Sequence, residues 1–432
     1  MRTAGRGGAG GPRPPGPPGP PDPGPRPLGL ARPGPSPPSP PRARTGSRPA
    51  PRARRVVVVK MNPVNDYFGP WLEAVMEPLV RRGALRVVYG GREVGEYLTS
   101  HAGVDAIHLT GSAATHDAIV FGAGPEGAAR RARGEAVCAK PVTAELGNVT
   151  PLVIVPGRWS SRELDYWVDM AVWSKAQNSG HNCAATQVLV TDRGWPQRGE
   201  FLRRLRAAFA RYPSRHCYYP GTAERVAAFR AKHPGALAQV GEGSGPGATP
   251  WLLAEGIPAS EYEGSGEVWC TALEEVALEG CATVPEFLDA AAAFCNGALE
   301  GTLACALAVD PRTQREHGAA VERAVAALRY GSVCVNLPPP LAFALPAAPW
   351  GAWDAGRGAD PSDIGTGTGF VHNALLFDHV EKGVLRFPFT IRPYPCYLPA
   401  HRNFRAMGPR ILEAACGSVP AVLALVWAAL RG

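Results

Sequence analysis

Four consecutive valines, Val56 to Val59, stand between a segment that cannot fold alone and one that must be covered. A continuous β-branched run of this kind suits a strand of a parallel sheet, buried front and back. Before it, the first 54 residues hold 18 Pro and 11 Gly with almost no aliphatic side chains. Such a segment cannot offset its ordering entropy by burial, so residues 1–54 are expected to form a disordered tail. Gly16-Pro17-Pro18-Gly19-Pro20-Pro21 resembles a collagen repeat, but the triplet does not persist. The 432-residue chain still leaves room for two substantial domains after the tail.

Charge follows the same division. The formal net charge is +8, yet residues 1–55 carry eleven Arg and one Asp, about +10, which leaves the remainder near −2. The folded part therefore needs no acidic partner. The Arg-rich tail has no Tyr, Phe or Trp for base stacking, so any contact with nucleic acid would be weak, non-specific and salt-sensitive. Nor does it show the amphipathic pattern of an organelle-targeting peptide. Ten Cys occur with no C-x-x-C pair and no legible secretory signal, which favours reduced thiols in the cytoplasm and no metal site. The apolar stretch Ala421 to Leu430 is far too short to span a bilayer, so no membrane association is expected.

From Val56 onward, apolar runs alternate with helical periodicity. Val56 to Lys60 reads as a strand, Pro70 to Arg82 as a helix with Trp71, Leu72, Val75, Met76 and Leu79 on one side, and Leu85 to Tyr89 as a strand. A helix near Glu93 to Ser100 and a strand from Ala106 to Thr110 follow. This β-α-β-α-β order implies one parallel, right-handed sheet with ligands at the carboxyl ends of its strands. No G-x-G-x-x-G is present. The pattern then repeats with longer units: strand Leu152 to Val155, helix Glu163 to Gln177, strand Gln187 to Val190, helix Glu200 to Arg211, strands Glu267 to Leu273 and Gly301 to Val309, helix Arg312 to Leu328, and strand Gly331 to Asn336. Cys183 falls in a helix-to-strand loop, on the Gly-containing run Asn178-Ser179-Gly180-His181-Asn182-Cys183. An exposed thiol and a carboxylate able to activate water are the parts of thiol-ester chemistry: attack on an aldehyde, loss of hydride, hydrolysis. A cysteine taken blind is more often a small buried hydrophobe.

Taken in order, these segments resemble the aldehyde dehydrogenase superfamily over about residues 55–390. His108-Leu109-Thr110-Gly111-Ser112, with Ser100-His101 and Asp105 ahead of it, is similar to the family's F-T-G-S turn. Glu145-Leu146-Gly147 is similar to the start of E-L-G-G, and Asn178 to Cys183 is similar to N-x-G-Q-x-C. Gly331 to Asn336 is similar to the late G-x-V-x-V-N strand. The resemblance implies an α/β protein: a Rossmann-like parallel-sheet NAD(P) domain at 55–147, an α/β catalytic domain at 148–345, and a wrapping or oligomerisation segment at 346–432. It also implies NAD(P)-dependent oxidation of an aldehyde to a carboxylic acid by a cytoplasmic homo-oligomer, with NAD or NADP as cofactor. Cys183 would be the nucleophile and Glu145 the general base that activates hydrolytic water. Lys60 would approach the adenosine ribose, and Gly111 and Ser112 would allow the cofactor close approach. Glu267 and Trp269 stand where the family has E-x-F-G-P, so Glu267 would bind the nicotinamide ribose.

The departures define a divergent member. Asn148 replaces the second Gly of E-L-G-G, His181 replaces the Gln before the nucleophile, and Cys270-Thr271 replaces Gly-Pro after the aromatic. His116 stands where the cofactor turn usually ends in Gly, Pro63 where an acidic residue often holds the ribose, and Gly124 to Gly134 reads as an insertion. No P-W-N, whose Asn helps bind the oxyanion, precedes Lys60. Losing one such donor costs about 10² to 10³ in turnover in other enzymes. The chain is thus expected to be an N-terminally incomplete or impaired member, with an inactive binding role or CoA-acylating chemistry as alternatives. Ser112 serves equally well as a helix cap, and Lys60, Glu145 and Glu267 as ordinary solvated charges.

Overall fold

A computed structural model describes residues 56–212, 216–241, 247–264, 266–353, 362–398, 401 and 403–430. The expectation for residues 1–54 lies outside these. The chain divides into two compact units that meet at Asp105 and Ala106.

The first unit holds strands β1 (Val57–Lys60) and β2 (Leu85–Val88), paired in parallel with Val57 opposite Leu85. Its helices are α1 (Gly69–Val75), α2 (Glu77–Arg81) and α3 (Arg92–Ser100). The helix expected over 70–82 is two helices, broken at Met76. Pro78 explains the break, because its ring has no N–H and would clash with the carbonyl of Ala74 in a continuous helix. The valine run is not covered front and back within this unit: Val57 is 47% and Val58 46% exposed. The apolar side expected on the helix is open too, with Trp71 at 68% and Val75 at 77%. A two-stranded ribbon has neither the width nor a second layer to bury them, and Met61 and Leu85 are the buried apolar side chains among its described residues.

The second unit begins with β3 (Ile107–Thr110), α4 (Ala113–Val120), α5 (Gly124–Ala132) and β4 (Val142–Glu145). The insertion-like stretch is thus α5, started by Pro125 in its first turn. β3 pairs in parallel with β4, so the single β-α-β-α-β sheet is not what forms: β1 and β2 make one ladder and β3 another. There follow β5 (Thr150–Ile154), α6 (Ser161–Ala176), β6 (Thr186–Asp192), α7 (Arg198–Arg211), α8 (Thr222–Lys232), β7 (Leu237–Val240), β8 (Trp251–Pro258), β9 (Ala272–Leu278), α9 (Val284–Gly297), β10 (Ala304–Ala308), α10 (Pro311–Ala327), β11 (Ser332–Val335), α11 (Pro339–Phe343), β12 (Gly367–Thr368), β13 (Gly383–Arg386), α12 (Phe404–Ala415) and α13 (Val419–Leu430). β12 joins β4 antiparallel, and the rest form an eight-stranded sheet ordered β13-β11-β10-β5-β6-β9-β8-β7, parallel except where β7 meets β8.

This large sheet is an α/β layer built as its sequence requires. Alternate residues of β5 feed opposite cores: Leu152 and Ile154 pack with Leu164, Trp167 and Phe201, whereas Val153 packs with Phe287, Val321 and Val325. Each such side chain, fully removed from water, contributes roughly 1.5–3 kcal/mol. Local signals set the helix starts. Ser160 and Glu163 form a reciprocal capping box at α6, Thr283 and Glu286 another at α9, and Asp310 caps α10 ahead of Pro311. The strand expected over 267–273 begins only at Ala272. Residues 266–271 run as irregular backbone, in which the Val268 N–H donates to the Gln187 side chain of β6 instead of to a strand carbonyl, and the Glu267 carboxylate accepts the Asn148 N–H. Among the described residues no helix is long and apolar enough to cross a membrane.

Candidate active site

The three-stranded sheet delivers a carboxylate. Glu145 ends β4, opposite Thr110 of β3 on one side and Gly367 of β12 on the other, and its carbonyl accepts the Gly111 N–H at 3.0 Å. Its side chain is buried, and the indole Nε1–H of Trp350 donates to Oε2 at 2.9 Å. Trp350 is itself buried, and an isolated antiparallel bridge anchors its backbone, its N–H donating to the His372 carbonyl and its carbonyl accepting the Val371 N–H.

The large sheet delivers a thiol. After α6 the chain turns through Asn178 (φ 49°), Ser179 (φ 57°) and Gly180 (φ 82°), left-handed conformations that non-glycine residues avoid. Gly180 is required twice over, since a Cβ there would also collide with the Cys270 carbonyl oxygen. The turn aims Cys183 at Glu145. Thr150 Oγ1, at the head of β5, holds the loop by donating to the Cys183 carbonyl at 3.1 Å. Asn182 Oδ1 lies 3.9 Å from Cys183 Sγ and accepts the Ala184 N–H at 2.8 Å. The loop therefore meets the amino ends of β5 and β6, while Glu145 arrives from a carboxyl end.

Cys183 and Glu145 are partners. Burial raises the Glu145 carboxyl above its ordinary range, while hydrogen bonds from the Cys183 thiol and Trp350 pull it back part of the way. Burial pushes the Cys183 thiol well up, and the neighbouring Glu145 and Glu267 charges add to it. The thiol thus helps hold the carboxyl towards its charged form, and the carboxyl helps hold the thiol towards its protonated form. A base already bonded to the proton of a nucleophile is the arrangement needed to activate it.

Glu267 completes the group. Burial raises its carboxyl to about 7, against the Asn148 N–H, which donates to Oε1 at 3.3 Å, and the Lys175 charge. A Cβ on Gly147 would lie 3.0 Å from Glu267 Oε2, so a glycine there admits the carboxylate. Trp269 packs edge-on to His181 and Tyr219 at 6.1 and 5.6 Å. His181, which replaces the usual Gln, is buried, bonded to the Asn178 carbonyl at 2.8 Å and Thr222 Oγ1 at 2.9 Å, and stacked on Tyr219. Its ring is locked into structure rather than offered to a ligand.

The other expected positions divide. Gly111 and Ser112 lie exposed at the end of β3, and Ser112 caps α4, its Oγ accepting the Thr115 N–H at 3.2 Å. Lys60 belongs to the first unit, where Nζ donates to the Met61 carbonyl at 3.3 Å. His116 is buried inside α4.

Three contributors escape sequence reasoning. Asn148, which looks like a mere departure from E-L-G-G, is fully buried and works on four fronts: Nδ2 donates to Thr150 Oγ1 at 2.8 Å and to the Ala304 carbonyl at 3.3 Å, Oδ1 accepts the Leu303 N–H at 3.1 Å, and its carbonyl accepts Gln187 Nε2 at 2.7 Å. It thus braces, through Thr150, the loop that carries Cys183. Trp350 and Lys175 are the other two, and neither lies in a recognisable motif.

Residues 56–220 match the aldehyde dehydrogenase family. Among curated relatives, the chain is 28% identical to D-glyceraldehyde dehydrogenase (NADP(+)) of Thermoplasma acidophilum over 143 residues, 33% of this chain and 26% of that one. It is 34% identical to the peroxisomal aminoaldehyde dehydrogenase 1 of Pisum sativum over 110 residues, 25% of this chain and 19% of that one. The matched stretch spans about a quarter or less of these relatives' length. In fold, the chain is similar to substrate-bound Staphylococcus aureus AldH (TM-score 0.54, 15% identity, 84% of this chain and 71% of that one). It is also similar to the apo betaine aldehyde dehydrogenase of the same species (TM-score 0.55, 18% identity, 74% and 59%). Residues 56–220 thus resemble the aldehyde dehydrogenase family in sequence, and the α/β fold that carries the thiol loop and the β4 carboxylate is that of these solved structures.

Proposed function

We propose that this protein oxidises an aldehyde to a carboxylic acid with NAD or NADP, through a thioester on Cys183. The observation that carries the reading is the Cys183 thiol set against the buried Glu145 carboxyl, close enough for each to shift the other's ionisation. As Sγ attacks the aldehyde carbon, Glu145 takes the thiol proton and the carbonyl oxygen becomes that of a thiohemiacetal. A bound nicotinamide supplies the acceptor for the hydride lost from that carbon. After releasing that first proton to solvent, Glu145 removes one from the water that attacks the thioester and returns it to Cys183 Sγ as the C–S bond breaks, so the acid leaves, the thiol re-forms and one proton is released per turnover.

The donor set at Glu267 fits such a cofactor. Its carboxylate is half-buried beside Cys183, takes one N–H from Asn148, and keeps acceptor capacity for the paired hydroxyls of a ribose. Gly111 and Ser112 would border the cofactor. In this reading residues 55–147 serve the cofactor, 148–345 the chemistry, and 346–432 wrapping and self-association in the cytoplasm. Glu145 favours water over coenzyme A as acyl acceptor, because a water-activating base serves no purpose in thiol transfer.

The test is NAD(P)⁺ reduction over a panel of aldehydes, with free acid as product and no requirement for coenzyme A. Cys183→Ala should abolish it, and unchanged turnover in that variant would sink the assignment. The raised Cys183 thiol favours a second reading, a binding protein that keeps the fold without turnover. Saturable cofactor binding with no turnover at any pH from about 6 to 9 would establish that one instead.

A further inference from the structure

Lys175 lies in the last turn of α6, just ahead of the loop that carries Cys183, and its side chain is fully buried. Its Nζ has no hydrogen-bond partner among the described residues. An unpartnered buried ammonium is among the most unfavourable groups a core can hold, so its presence calls for an opposing charge. A Cβ built on Gly180 would stand 3.2 Å from Lys175 Cε, which sets the lysine at the seam between the nucleophile loop and residues 266–271.

Three acidic groups face it: Glu267 and Cys270 from that segment and Glu274 from β9. Glu274 is already answered by His233 Nε2 at 2.8 Å, Tyr262 Oη at 3.1 Å and Lys232 Nζ at 3.3 Å. Cys270 is a buried thiol whose burial pushes it up, so at neutral pH it carries no charge. Arg225 faces the same seam with positive charge of its own, whereas burial holds His181 below its ordinary range, so at neutral pH it adds none. Glu267 is left. It is opposed by Glu300 and Glu145, borders Cys183, and finds its cation in Lys175.

We propose that Lys175 is a positioning residue that keeps Glu267 ionised and holds the 266–271 segment against the nucleophile loop. The consequence for the cofactor, a carboxylate ready for ribose hydroxyls, rests on the role proposed for Glu267 above. The electrostatic link does not. In the absence of Lys175, Glu267 would lose its nearest positive charge and take up its proton at higher pH.

The experiment is a carbon-13 NMR titration of the full-length protein labelled at glutamate side-chain carboxyls, with Glu267→Gln identifying the resonance. In Lys175→Met the Glu267 midpoint should rise so that the ratio of protonated to ionised form at fixed pH increases about tenfold. An unmoved midpoint overturns the proposal. If Lys175→Met does not fold, the link is read from the other side: lysine-labelled Glu267→Gln should show Lys175 losing its proton at lower pH than in the unaltered protein, and no movement there overturns it equally. Calorimetry with NAD⁺ and NADP⁺ separates the two ideas. A moved Glu267 midpoint with no cofactor binding at any pH upholds the Lys175 link and sinks the dehydrogenase reading. A moved midpoint with binding that weakens in Lys175→Met below the new midpoint upholds both.

Discussion

The indole N–H of Trp350 donates to Glu145 Oε2 at 2.9 Å, and this bond ties the carboxylate to a residue 205 positions further along the chain. Both groups are buried, so the bond works at low dielectric, where a charge-assisted hydrogen bond is worth about 1.5–3 kcal/mol. Trp350→Phe keeps an aromatic ring and removes the donor. Glu145 should then become harder to ionise, and the acid limb of the pH–rate profile should move to higher pH. Turnover at neutral pH should fall about tenfold or more while cofactor affinity stays unchanged. A profile superimposable on the unaltered protein would show that Trp350 only packs.

Glu145→Gln should separate reactivity of the thiol from catalysis. The Glu145 charge and hydrogen bond both push the Cys183 thiol up. Without them the thiol ionises at lower pH, so alkylation of Cys183 by iodoacetamide near pH 8 should become several-fold faster. Aldehyde oxidation should nevertheless be lost, because no base remains to activate water. Mass spectrometry of the labelled peptide measures the first, and cofactor reduction the second. Slower alkylation in the variant would contradict the thiol–carboxylate pairing.

Glu267 makes stability depend on pH in a defined direction. Its folded carboxyl sits at about 7, above its unfolded value of 4.5, so the fold favours the protonated form. Its share of stability is whole below the unfolded value and is lost as pH rises towards 7. Glu267→Gln should therefore match the unaltered protein near pH 4 and be more stable by roughly 2–3 kcal/mol at and above pH 7. Denaturant midpoints across that range test this, and equal midpoints throughout would refute it.

Asn148→Ala removes a buried side chain that makes three hydrogen bonds, leaving the Leu303 N–H and the Ala304 carbonyl short of a partner. A loss of about 3–5 kcal/mol is expected from thermal unfolding. Asn148→Gly, which restores the familiar E-L-G-G, should do no better. If the glycine variant proved as stable as the unaltered protein, Asn148 would not be the brace described.

What is legible in the chain is what local pattern encodes. The helices α6 and α10 follow from their caps and apolar stripes, and Glu145, Cys183 and Glu267 sit in short runs that can be read without a structure. The break at Met76 was also available, through Pro78, but apolar periodicity spoke louder than one proline. The strand anticipated at Glu267 fails for another reason: alternation fits those residues, yet their partners are the Asn148 backbone and the Gln187 side chain, both remote in sequence. Trp350 and Lys175 have no local signature at all. One acts across the fold, the other through a charge that only burial makes consequential.

The Cys183 thiol and the Glu145 carboxyl come from different sheets within the second unit, one handed over at amino ends of strands and the other at a carboxyl end. Their meeting is therefore a measurement of how well the three-stranded ladder is seated. A small shift of that ladder would leave secondary structure and most of both cores intact while parting the thiol from the carboxylate. Function should accordingly fade under mild denaturant or warming before the molecule melts, and any binder that wedges or clamps this joint would act as a dial on the chemistry.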